Sequence, residues 1–247
     1  MRKSLSSVAV ACAVILAAPS SDADLREGYE AFADGRYEQA YEELLPLAGR
    51  NNPIAAYYLG IMYLDGAGVA RDAQAGVLWL TRAAERGHTA AQLRLALVYE
   101  RGDGIVQDYQ LASQWMTAAA EGGNADAHYY LGRYYRDGRG LVQSDALAHE
   151  WIYRSVEYDI SHDRFLDALL YLGAASEWGR GQRQDLVDAY KWFALASGYS
   201  VDDARMHEEA GRAMDALSIR MSATQLAEAQ RRAEAWRRDK QAMVANR

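Results

Sequence analysis

The stretch Ala55-Ala56-Tyr57-Tyr58-Leu59-Gly60-Ile61-Met62-Tyr63-Leu64-Asp65-Gly66-Ala67-Gly68-Val69 decides the fold, because its pattern returns along the chain. Leu59 recurs as Leu95 and Leu131 at intervals of 36 residues, and as Leu172 after 41 more. Tyr63 recurs as Tyr99 and Tyr135, and the glycine pair Gly66/Gly68 as Gly102/Gly104, Gly138/Gly140 and Gly179/Gly181. Downstream, Trp79 recurs as Trp115, Trp151 and Trp192. Four columns in one register define units 53–88, 89–124, 125–160 and 166–201, the last delayed by an insertion, Ser161 to Phe165.

Each unit reads as helix, turn, helix. Ala55, Leu59, Met62 and Tyr63 fall at helical spacing, and the following glycines stop the helix by entering the left-handed region. Asp72 opens the second helix, whose apolar face carries Ala75, Leu78, Trp79 and Ala83, and Gly87 closes it. The equivalent openings are Asp108, Ser144 and Asp185, residue types whose side-chain oxygen accepts from free helix N–H groups, so this column needs no catalytic explanation. Gly60, Ala96, Gly132 and Gly173 would let paired helices approach to about 8–10 Å. Ala83, Ala119, Ser155 and Ala196 are expected to serve as sockets for tryptophan knobs. One such unit cannot bury its own apolar face, so the units must stack as an all-α solenoid of antiparallel helix pairs.

These residues closely resemble the Sel1-like repeat, a relative of the tetratricopeptide repeat. Its pattern is A-x3-LG-x2-Y-x2-G-x-GV-x3-D followed by A-x3-W-x3-AA-x2-G, and the first unit carries all of it except that Gly76 replaces one alanine. The resemblance implies a right-handed α-solenoid with adaptor or regulatory roles, including envelope assembly, exopolysaccharide control and motility in bacterial relatives. The third unit departs with Ser155-Val156 and Asp159, and the fourth with Ser176, which predicts a bend or widened junction between them. Residues 24–52 resemble a tetratricopeptide-type pair that starts the stack, and 202–240 a capping pair that ends it. The single solenoid domain is therefore expected over 24–240.

Composition narrows the function. The 247 residues hold 27 Lys+Arg against 34 Asp+Glu, a net charge of -7 that argues against a general nucleic-acid binder. Arg2 and Lys3, the apolar run Val8 to Ala18 and the small residues Ser21 and Ala23 read as a signal peptide over 1–23, cleaved after Ala23. The run is too short for a membrane anchor, and the expected location is the bacterial periplasm or the exterior. Cleavage would remove Cys12, the sole cysteine, leaving a chain without disulfide, thiol nucleophile or zinc knuckle. The cations Arg231, Arg232, Arg237, Arg238 and Lys240 read as a solvated final helix, with an anionic docking site as the alternative.

No catalytic constellation emerges. There is no GxSxG and no SxxK, and His149-Glu150 lacks the histidine that a zinc-protease motif needs, since Tyr153 stands there. No catalytic residue, metal or cofactor is expected. Three readings remain. The first is a monomeric, non-catalytic scaffold that binds a protein or peptide partner. The second is a β-lactamase-like or other envelope hydrolase, which the resemblance permits but the missing cysteines disfavour. The third is a secreted effector acting on a host or competitor protein. In tetratricopeptide-like solenoids the first helix of each pair lines the concave side. Its variable columns here place Tyr57, Tyr58, Arg94, Tyr129, Tyr130, Arg133, Arg136 and Tyr171 in the candidate groove. Tyrosine and arginine suit a peptide with an acidic group.

Overall fold

The computed structural model describes residues 21–158, 161–200 and 202–245. Most of the expected leader, with Cys12, lies outside these residues; Ser21 to Ala23 open the first helix. The described residues form twelve helices, the first ten in antiparallel pairs, and no strand. They are α1 (Ser21–Ala33) with α2 (Tyr37–Gly49), α3 (Pro53–Asp65) with α4 (Ala73–Ala84), and α5 (Thr89–Arg101) with α6 (Tyr109–Glu121). Then come α7 (Ala125–Asp137) with α8 (Asp145–Glu157), and α9 (His162–Trp178) with α10 (Leu186–Tyr199), while α11 (Ala204–Ser218) and α12 (Ala223–Ala245) both pack chiefly against α10.

The turn inside each repeat is built the same way four times. Gly66, Gly102, Gly138 and Gly179 end α3, α5, α7 and α9 at φ between 67° and 73°. Asp72, Asp108, Ser144 and Asp185 cap the next helices, each side-chain oxygen accepting from one or two N–H groups of the first turn. Their own N–H groups donate to the carbonyls of Tyr63, Tyr99, Tyr135 and Ser176. Because that bond uses backbone, serine can replace tyrosine in the fourth repeat without opening the turn. A further column closes the loop: the amides of Gln107, Gln143 and Gln184 donate to the carbonyls of Glu100, Arg136 and Glu177.

Close approach between layers explains the second glycine. Gly68 sits on the backbone of Tyr37, Gly104 on Ala73, Gly140 on Tyr109 and Gly181 on Asp145, in every case the first residue of the preceding second helix. A Cβ on Gly68 would come within 2.6 Å of the Tyr37 carbonyl carbon. Within a pair, Gly60, Gly132 and Gly173 receive Leu80, Ile152 and Phe193, and a Cβ on Gly60 would meet Leu80 Cγ at 2.6 Å. The sequence expectation of tryptophan knobs is therefore corrected. The knob is the residue after each tryptophan, because that side chain points between the helices. Trp79, Trp115 and Trp151 are half-buried along the flank, and only Trp192 is buried.

Leu59, Leu95, Leu131 and Leu172 are fully buried and mark the axis of the core. Each contributes about 1.5–3 kcal/mol by leaving water. The core is continuous, since Tyr99 and Trp115 bridge its first and second parts and Tyr130 bridges the second and third.

At the junction of the third and fourth repeats, the insertion becomes an added first turn of α9, which has 17 residues where α7 has 13. Phe165 on that turn packs against Tyr199 and Trp236, bringing α12 back across α9 and α10. Lys240 then donates to the carbonyls of Val156 and Tyr158 at 2.9 and 2.7 Å. A distant cation thus covers the end of α8, whose cap residue Tyr158 has extended backbone. Asp159, the residue in place of the closing glycine, lies outside the described residues. Among the other terminal cations, Arg232 pairs with Asp188 at 2.9 Å and with Glu228 at 2.8 Å. Arg231 pairs with Glu228, and Arg237 stands over the Tyr199 ring.

Candidate functional site

The eight candidate residues separate into three places. Tyr129, Arg133, Arg136 and Tyr171 come together in a hollow of about 440 Å³ between α7, α9 and α11. Ile152 of α8, Asp167, Leu170 and Ala174 of α9, and Arg205 and Glu209 of α11 complete its wall. Helices α7 and α9 are the first members of their pairs, and α11 follows the last pair.

The tyrosines and arginines in this hollow are unequally satisfied. Tyr129 is buried, and its hydroxyl donates to Asp167 Oδ2 at 3.2 Å. Burial, then the Asp167 charge, push its phenol up to about 12, so it stays a neutral donor. Arg136 holds Asp137 with two bonds, Nε to Oδ1 at 2.7 Å and a terminal nitrogen to Oδ2 at 3.2 Å. The hydrogen bond from Arg136 holds the Asp137 carboxyl below the usual range, against the opposing effect of desolvation. Arg205 and Glu209 form a loose, exposed i,i+4 pair at 3.7 Å.

Two groups remain open. Among the described residues Arg133 has no ion pair, and its guanidinium rests 5.8 Å from the Tyr129 ring centroid. The Tyr171 hydroxyl is buried without a hydrogen-bond partner, and its phenol is raised chiefly by desolvation. Tyr171 thus lines the hollow beside Arg133, with its hydroxyl buried in the wall.

Tyr57, Tyr58 and Arg94 lie elsewhere. Tyr58 packs against Phe32 and Tyr29 at centroid distances of 4.9 and 5.7 Å. Tyr57 stacks on His88 at 4.7 Å. These contacts join α1, α3 and the start of α5, so both tyrosines are inter-helix packing. Arg94 pairs with Asp65 at 3.1 Å, although its Nε has no partner. Tyr130 accepts from Arg164 Nε at 3.1 Å and lies beneath that guanidinium, which also holds Asp126. It braces the added turn of α9 and does not line the hollow.

Asp167, Arg205 and Glu209 escaped the sequence reading. Asp167 sits one residue into the fourth unit, and the α11 pair lies beyond the last repeat, so no column pointed to them. Among the described residues, no group of three or more His, Asp, Glu or Cys side chains is arranged to hold a metal. No described helix is long and apolar enough to cross a membrane.

Comparison with known proteins gives the same architecture. The Sel1 repeat family model matches residues 53–88, 89–124, 125–157 and 166–197, more than half of the chain. A solved Sel1 repeat protein from Oxalobacter formigenes is 29% identical, covers 70% of each chain and superposes with a TM-score of 0.66. A protective antigen of uropathogenic Escherichia coli strains, described as displaying an SLR fold, is 21% identical with a TM-score of 0.51. That match covers 88% of this chain and 53% of the other, and is a likeness of fold alone. No curated protein matches the chain.

Proposed function

The chain belongs to the Sel1 repeat family, whose members are generally protein-interaction scaffolds, and from that premise we propose that it binds the acidic peptide segment of a protein partner in the hollow between α7, α9 and α11. In this reading Arg133 takes the ligand carboxylate and the Tyr171 hydroxyl donates to it. Arg136, fixed by Asp137, adds positive potential beside them, and Tyr129 forms the floor. The protein acts without catalysis, as a monomer, after export to the periplasm or beyond by its cleaved leader.

One observation carries the reading: an arginine without a carboxylate partner shares a hollow with a buried hydroxyl without any partner. Of the other candidate arginines, Arg94 holds Asp65 and, within the hollow, Arg136 holds Asp137. The test is capture of a partner from the envelope fraction, with Arg133→Ala/Arg136→Ala as the comparison. The wild type should retain a protein that the double variant loses while keeping its helicity. Equal retention by both contradicts the proposal.

A further inference from the structure

Five charged side chains line the hollow, Arg133 and Arg136 of α7, Asp167 of α9, and Arg205 and Glu209 of α11, and most are matched within the protein. Arg136 holds Asp137 with two hydrogen bonds, and Arg205 faces Glu209 at 3.7 Å. Among the described residues, one cation and one anion of the wall are left without an ion pair, Arg133 and Asp167. Asp167 is exposed, and its hydrogen bond comes from the Tyr129 hydroxyl at 3.2 Å. Arg133 is half-buried, with its guanidinium 5.8 Å from the ring centroid of the same tyrosine. Tyr129 thus stands beside both groups and, as a neutral phenol, neutralises neither.

Two unmatched charges of opposite sign constrain what can lie across them. A ligand with carboxylates alone gains from Arg133 but sets like charge against Asp167, whereas a ligand that places a cation there gains on both sides. Water already solvates the exposed Asp167, so the added gain is that of a surface ion pair. It is enough to choose between ligands and too little to bind one alone. Spacing narrows the choice. In an extended segment, neighbouring side chains point to opposite faces, while those two residues apart share a face at about 6.5–7 Å. Arg133 and Asp167 stand on different helices beside one tyrosine, so an acid and a base on the same face of the segment reach them together and adjacent residues do not.

Resting on the reading that Arg133 takes the ligand carboxylate, we propose that the bound segment also carries a lysine or arginine two residues from that acid, and that Asp167 selects it. The test is selection from a random displayed-peptide library on the full chain, comparing the wild type with Asp167→Asn, Asp167→Arg and Glu209→Gln, each with helicity matched by circular dichroism. The wild type should enrich acidic peptides that bear Lys or Arg at the second position on either side of the acid. Asp167→Asn keeps an oxygen that accepts from Tyr129, so it should retain the acid and lose the cation preference. Asp167→Arg should enrich a second acid in place of the cation. Glu209→Gln should change nothing, because Arg205 already faces that carboxylate. In anisotropy titrations of a selected peptide, replacing its cation by glutamine should weaken binding about fivefold to the wild type and leave binding to Asp167→Asn unchanged. Acidic peptides without a cation preference in the wild type, or the same preference in Asp167→Asn, would overturn this inference and leave the carboxylate reading standing. An equal loss of preference in Glu209→Gln would overturn the role given to Asp167. Enrichment of peptides without carboxylates, or of none at all, would overturn both.

Discussion

The same columns of the repeat pass through both halves of the first-helix face, yet the halves differ. In the amino-terminal half, Tyr57 and Tyr58 are consumed by packing on His88, Tyr29 and Phe32, and Arg94 is held by Asp65. In the carboxy-terminal half, Tyr129 and Arg133 line a hollow in which one cation and one buried hydroxyl are unmatched. The difference comes from what stacks against each column. Helix α1 presents aromatic rings that fill the space beside α3. Helix α11 presents Arg205 and Glu209, which pair with each other and leave the space open. A repeat column thus sets where a side chain stands, and the neighbouring layer sets whether it is packing or surface.

The largest effect expected is one that breaks the frame common to both halves. Gly140→Ala places a Cβ on the Tyr109 carbonyl at a residue with φ of 65°. It should cost about 4 kcal/mol in urea unfolding, and Gly68→Ala, with φ of 71°, should cost nearly as much. Equal costs on both sides support a shared frame and confine the difference to the side chains. Next, Tyr58→Ala should destabilise by about 3 kcal/mol, because its ring joins α3 to α1. Tyr171→Phe should change stability by less than about 0.5 kcal/mol while weakening partner binding, since the lost hydroxyl bonds nothing in the free protein.

The third effect concerns binding itself. Arg133→Ala/Arg136→Ala should lower partner affinity by about 2–3 kcal/mol in calorimetric titration, whereas Arg94→Ala should leave it unchanged. The smallest effect is a pH dependence. Burial lowers the pKa of both His88 and His128, so each binds a proton less readily than in the unfolded chain. Their contribution is complete above the ordinary histidine range and declines as pH falls below about 6.5 through the lower folded values. His88 Nδ1 accepts from the Ala91 N–H, a bond that protonation removes. His128 Nδ1 already lies 2.8 Å from the Asn124 carbonyl and can keep that bond when protonated. His88→Asn should therefore flatten the pH slope of stability more than His128→Gln.

The fold was largely legible because its determinants are local. Left-handed glycines, aspartate caps and buried leucines act within a few residues of themselves, and the 36-residue period exposed them as columns. The glutamine column Gln107, Gln143 and Gln184 was equally periodic, but glutamine names no single structural role, so it passed unread. The tryptophan knobs were misplaced because spacing fixes the face of a helix and not which neighbour on that face points inward. Half of the candidate groove was legible, in Tyr129, Arg133, Arg136 and Tyr171. The remainder depended on partners from other layers, such as Arg164 over Tyr130 and Phe32 against Tyr58, which no column could supply.

The central claim is that the hollow around Arg133 selects carboxylates. Selection from a random displayed-peptide library tests this most directly, run in parallel on the wild type, Arg133→Ala and Arg94→Ala. The account predicts that the wild type and Arg94→Ala enrich the same Asp- or Glu-bearing peptides and that Arg133→Ala does not. Enriched peptides without carboxylates, or the same acidic set retained by Arg133→Ala, would contradict it.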